Sequence, residues 1–204
     1  MIKPLILNID SGNILSLKNI ILKKNSELKI SCDENDIENS THIFLPGVGS
    51  YPDVMEKIKK NLDINFLKKK ILKDRLFFLG ICVGMQILSN YGNENGEHKG
   101  LSFIDGSVEK ISTKNILPHV GWNSLKIKSN NQILNGIRDN TDFYFTHSYS
   151  FNLKNKSQEI ANTNYGVEFP SLINKDNIYG VQFHPEKSQI AGEKLIENFL
   201  NLKK

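Results

Sequence analysis

The chain has 204 residues, with 26 Lys+Arg against 22 Asp+Glu, 39% apolar residues, two cysteines and one tryptophan. That length predicts one globular domain over residues 1–204, able to fold without a disulfide or metal staple, and no apolar run approaches the roughly 20 residues that cross a bilayer. The net charge of +4 comes mostly from lysines scattered among acids, with only Arg75 and Arg138 as arginines, so it predicts solvated helix faces and argues against a nucleic-acid groove.

Cys32 and Cys82 fall in no Cys/His spacing that would hold a metal, and no two histidines have ligand spacing. The N-terminus leads into an apolar segment too short for a signal-peptide core. A cytoplasmic protein with no metal and no cofactor is the expectation.

Leu5 to Ile9 reads as a buried strand ending at Asp10-Ser11-Gly12, followed by a helical pattern over 16–24. Leu28 to Ile30 is a short second strand. His42 to Leu45 is a third, stopped by Pro46-Gly47. Pro52 suits the first turn of a helix with Val54, Met55, Ile58 and Leu62 on one face. A second helical stretch carries Phe66, Leu67, Ile71 and Leu72. Leu76 to Leu79 is a continuous apolar strand, with a helix over 83–88 directly after it.

This alternation implies βαβ crossovers and a parallel sheet covered on both faces. The second half changes style. Residues 108–111, 123–127, 143–149, 160–163, 171–174 and 178–183 are strand-like and separated by Gly, Asn and Asp turns. An amphipathic helix through Leu195, Ile196, Phe199, Leu200 and Leu202 closes the chain. The predicted class is α/β, with a mainly parallel central sheet flanked by helices and a β-rich C-terminal half.

Gly80-Ile81-Cys82-Val83-Gly84 lies between an apolar strand and a helix and has the form of a nucleophile elbow. A sharp strand-to-helix turn lifts the sulfur clear of the sheet edge, and flanking glycines avoid collisions there. A helix N-terminus favours thiolate, and the Val83 N–H points where an oxyanion would form. The plain alternative is a small buried core cysteine.

A base decides between them. His184 ends the apolar run Tyr179 to Phe183, and Pro185 stops the strand. Glu186, two residues on, can approach the far ring nitrogen and fix the tautomer. His147 lacks such a carboxylate and reads as a pocket-lining or structural residue. His119, between Pro118 and Val120-Gly121-Trp122, reads as part of a loop suited to a partner surface. His42 and His98 read as structural or exposed.

The set Gly80 to Gln86 with His184-Pro185-Glu186 resembles the class I (triad) glutamine amidotransferases. The resemblance is closer still to the glutaminase subunits (HisH) of imidazole glycerol phosphate synthase. Leu45 to Gly49, Pro118 to Asn123, Phe143 to Tyr149, Asn164 to Phe169 and Tyr179 to Ser188 follow in the family's order, so the resemblance spans essentially the whole chain.

The resemblance implies a glutaminase in which Cys82 attacks L-glutamine, His184 moves protons and Glu186 holds His184. It implies an oxyanion hole formed by Val83 and by a peptide of Gly47-Val48 that reorients, and glutamine contacts from Gly49, Gln86, Glu94, His147 and Ser148. Glu97 is the rival of Glu94. It implies a heterodimer with a (β/α)8-barrel synthase subunit (HisF-like), which takes the ammonia to make imidazole glycerol phosphate in histidine biosynthesis, and a partner face near Asn13, Trp122, Asn123 and Lys187. Neither nucleic acid nor membrane is an expected partner.

The turn Asp10-Ser11-Gly12-Asn13 is shorter than the family's usual Asp-Tyr-Gly-x-Gly-Asn form. Two other readings share the elbow. One is a HisH-like glutaminase feeding a sugar amidotransferase of surface polysaccharide synthesis, and the other a free-standing γ-glutamyl thiol hydrolase.

Overall fold

A computed structural model describes residues 2–25 and 27–203. Strand β1 (Pro4–Leu7) is buried along its whole length. Asn13 caps helix α1 (Ile14–Lys24) by accepting from the Ser16 N–H, and Leu17, Ile20 and Ile21 turn inward. Strand β2 (Lys29–Ser31) is followed by α2 (Glu34–Glu38), capped by Asp33. Helix α2 has no signature in the sequence pattern, because only Ile37 is buried and one apolar contact leaves no period to detect.

Strand β3 (His42–Gly47) leads to α3 (Tyr51–Asn61), with Ser50 as its cap and Pro52 in its first turn. Helix α4 (Ile64–Lys68) passes into a π-helical turn over Lys69–Lys73, so the second predicted helical stretch has two parts. Strand β4 (Phe77–Cys82) is wholly buried, and α5 (Val83–Gln86) is a single turn. The expected helix over 83–88 therefore stops two residues early. Ile87 and Leu88 stay buried in the turn that follows.

The later half holds β5 (Tyr91–Gly92), β6 (His98–Lys99), β7 (Gly106–Lys110), β8 (His119–Ser124) and β9 (Lys126–Ile127). Then come β10 (Asp142–His147), β11 (Tyr149–Leu153), β12 (Glu159–Asn164), β13 (Glu168–Lys175) and β14 (Ile178–Val181). Helix α6 (Gln189–Leu200) packs its Leu195, Ile196 and Phe199 into the core.

The main sheet has the order β2-β1-β3-β4-β14-β13-β12-β9. The pairings from β2 to β14 are parallel, and those from β14 to β9 are antiparallel. This is the predicted α/β class, with a mainly parallel sheet and a β-rich second half. Two smaller sheets, β10-β8 and β11-β7-β5-β6, stand apart from it. The predicted strand over 143–149 is thus two strands in different sheets, divided at Ser148, and the one over 123–127 divides at Leu125 in the same way.

Candidate active site

Strands β3, β4 and β14 are parallel neighbours, so their carboxyl ends open on one edge, where α/β sheets place their ligands. Gly47 pairs in register with Cys82, and Val181 pairs with Ile81. Cys82 and His184, 102 positions apart in the chain, are brought together by this pairing.

Cys82 has φ +55° and ψ −113°, a region that a side chain rarely occupies. Packing holds it there. A Cβ on Gly84 would meet the Leu45 carbonyl oxygen, and one on Gly80 would meet the Gly84 carbonyl. The elbow can press against β3 only because both positions lack side chains. The single turn of α5 is shorter than the helix expected from the sequence, so the sulfur's setting rests on its side-chain neighbours.

Those neighbours are specific. His184 interacts with Cys82 and, through Nδ1, with Glu186 Oε1 at 2.9 Å; both side chains of this ion pair are almost fully buried. Burial alone would depress the imidazole. The Cys82 and Glu186 charges and hydrogen bonds outweigh it and raise His184 from 6.5 to about 10. The His184 N–H donates to the Tyr144 carbonyl at 2.8 Å. Ser188 Oγ donates to the His184 carbonyl at 2.6 Å and accepts from the Tyr144 N–H at 3.0 Å. Glu186 Oε2 is buried with no partner among the described residues.

Gln182 Nε2 lies 3.9 Å from the Cys82 sulfur, and its Oε1 accepts from Gln86 Nε2 at 3.2 Å. The Thr146 carbonyl is 3.8 Å from the same sulfur. Gln182, Ser188 and Thr146 are site residues that the sequence does not single out. They lie inside segments that carry the family resemblance but are given no role there, because their contacts are made across the fold and leave no local signal.

A pocket of about 160 Å³ opens over the sulfur, lined by Gly49, Cys82, Val83, Gln86, Glu94, Pro118, Thr146, His147, Ser148 and Tyr149. All five residues expected to hold substrate line it. Glu94 lines it while Glu97 is exposed elsewhere, and Glu94 Oε2 accepts from the Tyr51 N–H at 2.7 Å. Both ring nitrogens of His147 are engaged inside the protein, Nδ1 with the Tyr149 carbonyl at 2.8 Å and Nε2 with His119 at 3.2 Å. It therefore meets the pocket with ring carbons and backbone.

The expected oxyanion residues divide. Val83 lines the pocket, whereas the Val48 N–H donates to Ser11 Oγ at 3.0 Å, and that hydroxyl donates back to the Val48 carbonyl at 2.7 Å. In this conformation the Val48 N–H is turned to the first βα turn. Gly49, at φ +106°, supplies the freedom needed for a peptide to turn.

The partner-surface expectation for His119 is corrected by its burial. It sits in β8, 4.0 Å by ring centroids from Tyr165 and 4.9 Å from Phe145, and does not face outward. Trp122 and Lys187 are exposed and both approach Tyr144, Trp122 edge-on at 6.0 Å and the Lys187 ammonium 5.5 Å over the ring. Asn123 is half-buried and Asn13 serves as the α1 cap. Val120 and Ile190 are more than half exposed, and Ile190 shares a groove with Trp122.

The profile of the Glutamine amidotransferase class-I family matches residues 9–202. The chain is 42% identical over 197 residues to imidazole glycerol phosphate synthase subunit HisH 2 of Methanococcus maripaludis, covering 96% of this chain and 97% of that one. It is 42% identical over 204 aligned positions to the HisH subunit of Methanocaldococcus jannaschii, covering 97% and 98%. Among solved structures, a glutamine amidotransferase of Thermotoga maritima superposes with a TM-score of 0.67 at 18% identity, covering 97% of this chain and 82% of that one. Another solved glutamine amidotransferase superposes with a TM-score of 0.76 at 17% identity, covering 97% and 96%. At that identity the structural likenesses carry the fold, and the sequence relatives carry the kinship. The chain belongs to the class I glutamine amidotransferases and, among them, to the HisH subunits of imidazole glycerol phosphate synthase.

Proposed function

We propose that this chain hydrolyses L-glutamine to glutamate and ammonia, and that the ammonia passes to a (β/α)8-barrel synthase subunit making imidazole glycerol phosphate. The observation that carries the reading is Cys82, held in a strained elbow, beside a buried imidazole that Glu186 grips at 2.9 Å.

Cys82, as thiolate beside the His184 imidazolium, attacks the carboxamide carbon of glutamine. The developing oxyanion is met by the Val83 N–H and, once the Val48 peptide has turned away from Ser11, by a second backbone donor. His184 gives its proton to the departing nitrogen, so ammonia leaves and a γ-glutamyl thioester remains on Cys82. Neutral His184 then takes a proton from water, which attacks the thioester. Glutamate is released and the thiolate–imidazolium pair is restored. Glu94 suits the substrate α-amino group by charge.

The exposed Trp122, Val120, Ile190 and Lys187 support a docking face, while the Asn123 side chain is engaged on the other side of β8 with His119 and the Asn164 carbonyl. The pair acts as a heterodimer in the cytoplasm. The test is purification with a candidate barrel synthase, followed by measurement of glutamate release with and without it. Strong stimulation supports the reading. High activity of the lone chain on γ-glutamyl peptides, with no response to any barrel, contradicts it, and stimulation only by a sugar amidotransferase would move the partner.

A further inference from the structure

A chain of hydrogen bonds runs from the Asn123 side of β8 to the pocket, and each donor in it can be assigned. Asn123 Oδ1 accepts from the Ser124 N–H at 2.8 Å, and its Nδ2 donates to the Asn164 carbonyl at 3.0 Å. Those two contacts fix which end of the amide is nitrogen. The same Nδ2 lies 3.3 Å from His119 Nε2, which must therefore accept, so the His119 proton sits on Nδ1. His119 Nδ1 is 3.2 Å from His147 Nε2, which must accept in turn. That leaves His147 with its proton on Nδ1, donated to the Tyr149 carbonyl at 2.8 Å. The same carbonyl takes a hydrogen bond from Gln86 Nε2 at 3.0 Å.

We propose that His119 is a positioning residue for the hydrolytic site: by donating to His147 Nε2 it acts with the Tyr149 carbonyl to hold His147 neutral, in its Nδ1–H form, beside the charged His184. The role rests on the glutaminase reading, since His147 matters only if the pocket that it lines takes glutamine.

The chemistry explains the need. His184 must carry a proton beside Cys82 and deliver it to the leaving nitrogen. A second protonated histidine would repel that imidazolium and compete to pair with the thiolate. The titratable groups facing His147 are His119 on the paired strand, His184 after β14, and Cys82 and Glu94 across the pocket. Phe145 and Phe169 close other sides of the ring. Burial pushes His147 down to about 3, partly offset by the Tyr149 carbonyl and reinforced by His119 and His184. Burial likewise pushes His119 down to about 4.

The test uses the full chain with two variants. His119→Phe keeps a ring against Tyr165 and Phe145 but removes the donor. His119→Asn places an amide nitrogen near the lost Nδ1. Long-range 15N–1H NMR reads the tautomer and charge of His147, and glutamate release with the barrel subunit reads kcat/KM. Wild-type His147 is expected to remain neutral and Nδ1-protonated from about pH 5 to 8.

His119→Phe is expected to change that form and lower kcat/KM about tenfold, and His119→Asn to restore both to within about threefold. A wild-type Nε2–H pattern overturns the proposal whether or not either variant folds. So does a folded His119→Phe with an unchanged His147 form or unchanged kcat/KM. If wild type with its barrel releases no glutamate, the glutaminase reading fails and the role falls with it.

Discussion

His184 carries its charge because two partners outweigh the burial that opposes it. Its folded value near 10 stands above the ordinary 6.5, so its charge adds stability below about pH 6.5, and that contribution is lost as pH rises through about 10. Thermal midpoints should therefore fall on the alkaline side, and glutamine turnover should lose its proton donor there. A turnover profile that collapses near pH 7 with the barrel present would contradict this. Glu186→Gln should cost about tenfold in turnover and His184→Ala about a thousandfold, since the first disturbs orientation and the second removes the base. The buried, unpartnered Glu186 Oε2 leaves a place for the amide nitrogen. Equal losses in the two variants would count against the assigned roles. Cys82, His184 and Glu186 are legible in the sequence because an elbow and a strand-end His-Pro-Glu are local patterns. The engagement of Val48 by Ser11, the contact of Gln182 with the sulfur and the burial of His119 under Tyr165 and Phe145 are not, because each depends on residues far along the chain.

The elbow is a device of the element scale. Three elements, β3, β4 and α5, meet at Gly84 with no room for a methyl group. Gly84→Ala is expected to destabilise the fold by about 1–3 kcal/mol in denaturant titration and to displace Cys82 from its partner. Wild-type stability together with wild-type turnover would show that the close approach is unimportant. Apolar runs such as Phe77–Leu79 and the face of α3 make these elements visible in the sequence. Short elements stay hidden: α2 buries a single residue, and β5 and β6 have two residues each. The division at Ser148 is hidden for a different reason. Both flanking strands are apolar and strand-like, and only their pairing partners, β8 for one and β7 for the other, reveal two sheets.

For the whole molecule, the parallel order β3-β4-β14 unites a cysteine and a histidine that the chain separates widely, while β10 and β8 carry pocket residues together with the exposed Trp122 of the proposed docking face. His147 pairs with His119 at one end of that small sheet, and Trp122 pairs with Tyr144 farther along it. Trp122→Ala should weaken barrel-stimulated glutamate release while leaving the lone chain's fold and Cys82 reactivity intact. Loss of folding instead would make Trp122 structural. The alternation of strands and helices makes the parallel half legible, whereas the antiparallel extension β13-β12-β9 depends on register that sequence pattern does not encode. The most direct measurement compares wild type and Cys82→Ala, each assembled with the barrel synthase and supplied with either glutamine or ammonium. Cys82→Ala should abolish product formation from glutamine and retain formation from ammonium. Retained synthesis from glutamine would contradict the account.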